Sequence, residues 1–166
     1  MSKSLVDDPL SPPGLRWVTV SPALIKVRLI FALIWCGIPL IAAIVLAILL
    51  QFWLFWALAG AALLLLGWLC WIIPRQVRAL KYAERDDDLL IARGVMFRSL
   101  VVVPYGRMQY VDMSAGPVER SVGISTVKLH TASASTDATI PGLPADEAAR
   151  LREQLASRGE ARLAGL

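Results

Sequence analysis

The chain has 166 residues, of which 57% are apolar, and it carries a net charge of +4. This length leaves room for one domain of ordinary size beside a membrane segment. Because acids and bases are evenly mixed after residue 75, the charge argues against a general nucleic-acid-binding surface, and we expect no nucleic-acid partner.

The chain is predicted to begin with a segment, residues 1–26, that lies outside the membrane. Its first part, residues 1–14, is polar and rich in proline, which favours an extended or disordered conformation. Ser21 and Pro22 then match a helix start, because a serine side chain can cap the helix and proline fits its first turn. Lys26 and Arg28 follow, at the mouth of the apolar run.

Residues 29–73 contain no Asp, Glu, Lys, Arg or His. A helix needs roughly 20 mostly apolar residues to cross about 30 Å of hydrocarbon, so this run is too long for one span and suits two. Its one strongly polar side chain, Gln51, lies near the middle, where a hairpin must turn. We therefore predict a transmembrane hairpin over 27–74, with spans at about 27–49 and 52–74.

The charges around the hairpin predict its orientation. Bases stand on both outer flanks, whereas the turn near Gln51 carries no charge. By the positive-inside rule both termini are then cytoplasmic, and the protein is a multi-pass protein of the plasma membrane. The flanking bases are Lys26, Arg28, Arg75, Arg78, Lys81 and Arg85.

Residues 75–158 are predicted to form a mainly-β domain. Apolar runs, some alternating with polar residues and each bounded by Gly or Pro, predict the strands. The predicted strands lie at 89–91, 99–103, 108–113, 126–131 and 138–140, with a helical turn over 118–121.

A helix is predicted to close this domain. It begins after Pro144, and Ala148, Leu151 and Leu155 recur on one face of it. Gly159 is expected to stop the helix before a tail of residues 159–166. Strands followed by a helix predict a curled sheet with the helix laid across one opening.

Several runs of the sequence resemble one family. They are DLLIARG (88–94), VPYGRMQYVD (103–112), GPVERSVG (116–123), VKLHTA (127–132) and IPGL (140–143). Following a two-span hairpin, they resemble the membrane-flanked bacterial PH-domain family, the small YdbS-type membrane proteins, over about residues 15–158. The resemblance implies a pleckstrin-homology-like (PH-like) barrel capped by the C-terminal helix.

The resemblance also implies roles for particular residues and partners. The family-motif residues, taken as structural, are Gly94, Pro104, Tyr105, Arg107, Gly116, Pro117 and Gly123. No catalytic residue and no cofactor are implied. Relatives of this type are linked with envelope stress and peptide-antibiotic resistance, often beside a larger membrane protein with repeated domains of the same kind, and a homo-oligomer is the other partner we consider.

The residues themselves offer little chemistry. His130 is the only histidine, and we interpret it as a solvated strand residue because no acid lies near it before Asp137. Asp86, Asp87 and Asp88 could hold a cation, but consecutive residues of an extended chain point opposite ways, so a solvated turn is the simpler interpretation. We therefore expect neither a metal site nor a catalytic site.

The set Arg75, Arg78, Lys81 and Arg85 has two interpretations. Its spacing would line one side of a helix continuing out of the second span, where each base gains about 1 kcal/mol from anionic headgroups. Alternatively these residues only anchor the topology, with Lys81 and Arg85 already in the first strand.

The sequence thus predicts a non-enzymatic, membrane-anchored interaction module at the cytoplasmic face. Its ligand would be a membrane-protein partner or anionic lipid of the bilayer. The alternative function is an accessory subunit of a transport or export complex, because two spans without an intramembrane charge make a poor pathway alone.

Overall fold

The computed structural model describes residues 14–132 and 137–163, with side chains as far as residue 159, so the proline-rich lead lies outside the described residues. In chain order the elements are β1 (Val18–Thr19), α1 (Ala23–Leu50), α2 (Trp53–Arg78), β2 (Lys81–Glu84), β3 (Asp88–Arg93), β4 (Ser99–Pro104), a 3-10 helix (Tyr105–Arg107), β5 (Met108–Ser114), α3 (Pro117–Ser121), β6 (Ile124–Thr131), β7 (Ala138–Pro144) and α4 (Ala145–Leu163).

The chain forms two compact units. One is the helical segment Ile25–Arg75, and the other, which we call the folded unit, combines the residues up to Leu24 with those from Gln76 onward. The structure therefore joins part of the predicted N-terminal segment, 1–26, to the predicted domain of residues 75–158.

The helical segment has the properties expected of two membrane spans. The most apolar windows of α1 and α2 have mean hydropathies of 2.8 and 2.1, yet only 11% and 17% of their residues are buried. A core helix of a soluble protein would be mostly buried, so apolar faces exposed on this scale favour lipid as their surroundings. Gln51 forms the predicted turn and adopts a φ of +48°.

Both helices extend beyond the predicted spans of about 27–49 and 52–74. α1 begins at Ala23, whose N–H donates to the Ser21 side chain at 3.2 Å, which confirms the predicted cap. α2 continues through Pro74 to Arg78. The loss of a single N–H at Pro74 does not end a helix whose other backbone bonds persist.

The folded unit contains two antiparallel sheets. The first has the strand order β1-β2-β3-β4, and the second has the order β5-β6-β7. Each predicted strand is present, β1 is added before them, and β2 contains Lys81, which the sequence placed in a strand only as an alternative. In β6, Val127 and Leu129 are fully buried while Lys128 is exposed, as its alternation predicts.

α4 lies across the sheets and completes the core. Ala148, Leu151 and Leu155 are fully buried, which confirms the predicted apolar face. The prediction that Gly159 ends the helix is wrong, since α4 runs to Leu163 and the predicted tail starts inside it. Gly159 is buried near Tyr105, and a Cβ there would make only ordinary contacts with Met108 and Tyr105. Helix, sheets and hairpin together confirm the predicted architecture.

Candidate functional site

One end of the first sheet, which we call the junction end, is where the chain enters α1 and leaves α2. Thr19 of β1 pairs with Lys81, the first residue of β2. Lys81 also pairs with Ala92, near the end of β3. The loop of residues 94–98, which joins β3 to β4, therefore lies at the junction end as well.

The first turn of α1 is fastened to β7 at this junction. The Ser21 N–H donates to the carbonyl of Gly142 at 2.8 Å, and Leu24 is buried beside it. Gly142 adopts a φ of +75°, and a Cβ there would come within 2.8 Å of the Leu24 side chain. Only glycine suits both the backbone angle and the close approach.

The structure separates the four bases that the sequence offered as headgroup contacts. Arg78 ends α2 and Lys81 begins β2, so both lie at the junction end. Arg85 follows the last residue of β2, roughly 10–13 Å further along the sheet. The interpretation that the set lines one helix face is thus wrong. The alternative, which placed Lys81 and Arg85 in the first strand, is confirmed for Lys81 and wrong for Arg85. Arg75 places its guanidinium 3.4 Å from the centre of the Trp71 ring, a pairing common at membrane boundaries.

Arg85 belongs instead to the acidic turn between β2 and β3. Its guanidinium lies 3.8 Å from the Asp88 carboxylate, and its N–H donates to the Asp88 carbonyl at 2.9 Å. The Asp87 carbonyl accepts the Tyr105 N–H at 3.1 Å. These backbone bonds make residues 86–88 a structural turn, and within the described residues no group of three His, Cys, Asp or Glu side chains could hold a metal ion.

The motif residues Pro104 and Tyr105 connect the two sheets. Pro104 ends β4 in an extended conformation, and Tyr105 starts the 3-10 helix with its ring fully buried. The Tyr105 hydroxyl donates to the Arg85 carbonyl at 2.9 Å and lies 3.0 Å from the Arg158 guanidinium. Burial raises the pKa of Tyr105. Arg107 contributes through its backbone, since its carbonyl accepts the Ala132 N–H at 3.2 Å.

The motif GPVERSVG builds a connection between β5 and β6. Pro117 opens α3, and Glu119 accepts the Gly116 N–H at 2.8 Å and the Thr126 hydroxyl at 3.1 Å. Gly123 leaves the helix with a φ of +70°, which the absence of a side chain permits. The motif is therefore a tightly bonded turn.

Partly exposed polar contacts attach α4 to the first sheet. The Tyr82 hydroxyl donates to Glu147 at 2.8 Å, and Arg150 bridges Glu147 and Glu84 at 2.6 and 2.8 Å. The Arg150 guanidinium lowers the pKa of Glu147. Burial raises the pKa of Tyr82, and its bond to Glu147 adds to the shift. These groups satisfy one another, which indicates a structural role.

His130 is less solvated than the sequence suggests. Its ring stacks on Tyr110, the residue opposite it on β5, with centroids 4.4 Å apart. Its Nδ1 lies 3.0 Å from the Asp137 carboxylate, which also accepts the Thr131 N–H at 2.8 Å. That backbone bond is the main reason why the pKa of Asp137 is lowered. The arrangement ties β6 to the start of β7.

A groove lies between β5 and α4. Within the described residues β5 pairs with β6 alone, so its other edge is open. The groove has a volume of about 240 Å³. It is lined by Met108, Gln109, Tyr110, Val111, Leu155, Ala156 and Gly159. It is smaller than small-molecule sites of about 300–1,000 Å³, so it suits a side chain of an extended segment better than a metabolite.

A family model described as "Bacterial PH domain" matches residues 18–159. The chain belongs to the bacterial PH domain family. It is also similar to the UPF0699 transmembrane protein YdbS of Bacillus subtilis (strain 168), with 32% identity over 143 residues, which cover 82% of this chain and 88% of the relative. No solved structure matches it. The predicted family is confirmed, and the protein is a membrane protein that carries a bacterial PH domain.

Sequence reasoning missed three features of this PH domain. The first is β1, which pairs with β2 in the folded unit although it precedes the hairpin, and the family match also begins at its first residue, Val18. The open edge of β5 depends on sheet order, which no local pattern reveals. The third is the exposure of the Met96 and Phe97 side chains. The sequence marked their loop only through the turn-forming residue Gly94.

Proposed function

We propose that this protein is a non-enzymatic, membrane-tethered interaction module. The hairpin would hold its PH domain at the cytoplasmic face of the plasma membrane, where the domain binds a second membrane protein. Positive residues on both outer flanks and an uncharged turn at Gln51 support this orientation. Tethering raises the local concentration of the domain, so even a weak contact would be occupied.

The open edge of β5 beside the groove is the observation that carries the proposal. An extended segment of a partner can add to an open strand through main-chain hydrogen bonds and place a side chain in the adjacent pocket. Tyr110 and Met113 are large apolar side chains exposed on β5, the kind of residue that is enriched at interfaces. The Tyr82 and Tyr105 hydroxyls each donate a hydrogen bond within the domain, which fits a structural role for both.

Affinity purification of the full chain from mildly solubilised native membranes tests the proposal. Ala156→Arg places a long charged side chain in the groove, whereas Ser157→Arg, one residue along, places the same side chain on the exposed helix surface outside it. We expect a membrane protein to co-purify in fixed ratio with the wild type and the Ser157 variant, and to be lost with the Ala156 variant.

Two results would contradict this function. Equal recovery with both variants would move the partner away from the groove. Solute flux through liposomes that contain this chain alone would favour transport instead. For the orientation, Ser157→Cys in a chain with Cys36 and Cys70 replaced by alanine should resist an impermeant thiol reagent in intact cells and react after lysis.

A further inference from the structure

The loop between β3 and β4 displays two large apolar side chains. Met96 is 77% exposed and Phe97 is 89% exposed, more than any other large apolar residue described in the folded unit. These two side chains contribute nothing to the core, and adjacent exposed apolar side chains form the kind of patch found at interaction or membrane surfaces. Packing within the domain therefore does not account for the apolar side chains of this loop.

The backbone of the loop is built to hold this shape. Gly94 has a φ of +103°, and a Cβ there would lie 1.8 Å from the Phe97 carbonyl oxygen. The loop thus folds back on its own first residue, and only glycine can occupy that position. At the base of the loop, Arg93 Nε donates to the Ser99 hydroxyl at 3.3 Å, and the two residues are partners in the β3–β4 ladder.

The position of the loop brings it to the end of the sheet from which the membrane helices depart. Strand register sets Thr19, Lys81 and Ala92 side by side, and α1 begins four residues after Thr19. The loop starts two residues beyond Ala92 on the neighbouring strand. The loop therefore lies at the same end of the sheet as both chain connections to the apolar helices.

The charge of the loop complements a membrane surface. Arg93 and Arg98 flank the apolar tip and are exposed, and no acid occurs in the sequence between Asp88 and Asp112. Arg78 and Lys81 add positive charge at the same end. An apolar tip within a basic rim is the pattern by which peripheral segments enter the headgroup region of anionic bilayers.

We propose that Met96 and Phe97 insert into the interfacial region of the bilayer that the hairpin crosses. The loop of residues 94–98 then docks the PH domain on the membrane as a third attachment, with the flanking arginines at the headgroups. The contact involves a different surface from the β5–α4 groove, so it can fail while the proposed partner binding holds, and the converse is also true.

Site-directed fluorescence in vesicles tests the insertion. The full chain, with Cys36 and Cys70 replaced by alanine, receives a single environment-sensitive probe at Phe97→Cys. The matched control is Asp86→Cys, an exposed turn residue at the opposite end of the same sheet. Both are reconstituted in phosphatidylcholine and in mixtures with phosphatidylglycerol, with lipids spin-labelled at the headgroup or along the chain.

We expect the probe at position 97 to shift its emission to the blue and to be quenched by spin-labelled lipid, more strongly with phosphatidylglycerol, while the probe at position 86 shows neither effect. Met96→Cys should behave like Phe97→Cys, which excludes an effect of removing one aromatic ring. Equal emission and equal quenching at positions 97 and 86 would overturn the proposal. So would shielding of position 97 that arises in native membranes but not in pure lipid, because a protein would then cover the loop.

Discussion

Replacing Gly142 by alanine should destabilise the PH domain through its contact with α1. The left-handed φ of +75° costs an L-residue about 1–2 kcal/mol. The new methyl would also lie 2.8 Å from the buried Leu24 side chain, and overpacking of this kind costs about 1–3 kcal/mol. The expected loss is therefore about 2–5 kcal/mol, a large part of the 5–15 kcal/mol that is typical of domains.

Gly123→Ala provides the matched control for the backbone term. Gly123 has a φ of +70°, but a Cβ there would meet nothing within 4 Å. This variant should lose only the conformational cost, about 1–2 kcal/mol. The difference between the two alanine variants then measures the steric conflict with Leu24.

A double-mutant cycle isolates that conflict. Leu24→Ala alone should cost about 2–5 kcal/mol, because it empties a buried site. In the double variant the methyl at position 142 no longer meets Cγ and Cδ2 of residue 24, but it still lies 2.8 Å from the Cβ that alanine retains. The combined loss should therefore fall short of the sum by only part of the steric cost. The free energy of unfolding can be measured for the full chain in detergent micelles by urea titration with pulse proteolysis. Strict additivity, or equal losses at positions 123 and 142, would refute the reasoning.

Two further predictions concern α4. Leu155→Ala should lower the free energy of unfolding by about 2–5 kcal/mol, because Leu155 is fully buried. Arg152→Ala, on the exposed face of the same helix, should change it little. Similar losses in the two variants would mean that α4 does not close the core. The pKa of Glu147 is lowered in the folded state, so its ion pair with Arg150 stabilises the fold above pH about 4.5. This contribution is lost as the pH falls through the pKa that Glu147 has in the folded protein. Unfolding titrations across that range should show a weaker pH dependence in Glu147→Gln, and an unchanged profile would assign the dependence to other carboxylates.

The sequence predicts most of this architecture because its signals are local. An uncharged apolar run specifies two spans by length alone. Alternation in 126–131 predicts both the strand and its buried face, and the i, i+3, i+7 recurrence from Ala148 to Leu155 predicts the inner face of α4. Each of these patterns reflects burial of a strand or helix that is long enough to repeat.

The failures arise where a distant contact decides the local structure. β1 has two residues, too few for any period, and it exists because β2 lies beside it. Gly159 is typical of a helix end, yet α4 continues past it to Leu163, with Gly159 buried near Tyr105. Arg85 continues a helical spacing of bases, but the acidic turn that binds it lies at the other end of the strand. Such placements depend on tertiary pairing, which single-residue propensities do not encode.

The register of β1 with β2 makes the membrane hairpin an insertion within the PH domain. Thr19 and Lys81 pair directly although about 60 residues separate them, a closure that would cost a flexible chain considerable entropy. Most of the intervening stretch is helical, in α1 and α2, so it is not a flexible loop. Pairing of β1 with β2 therefore brings together chain segments from either side of the two helices. The strong fastening at Gly142 and Leu24 fits this arrangement, because it fixes the entrance of α1 to the same domain that receives the exit of α2.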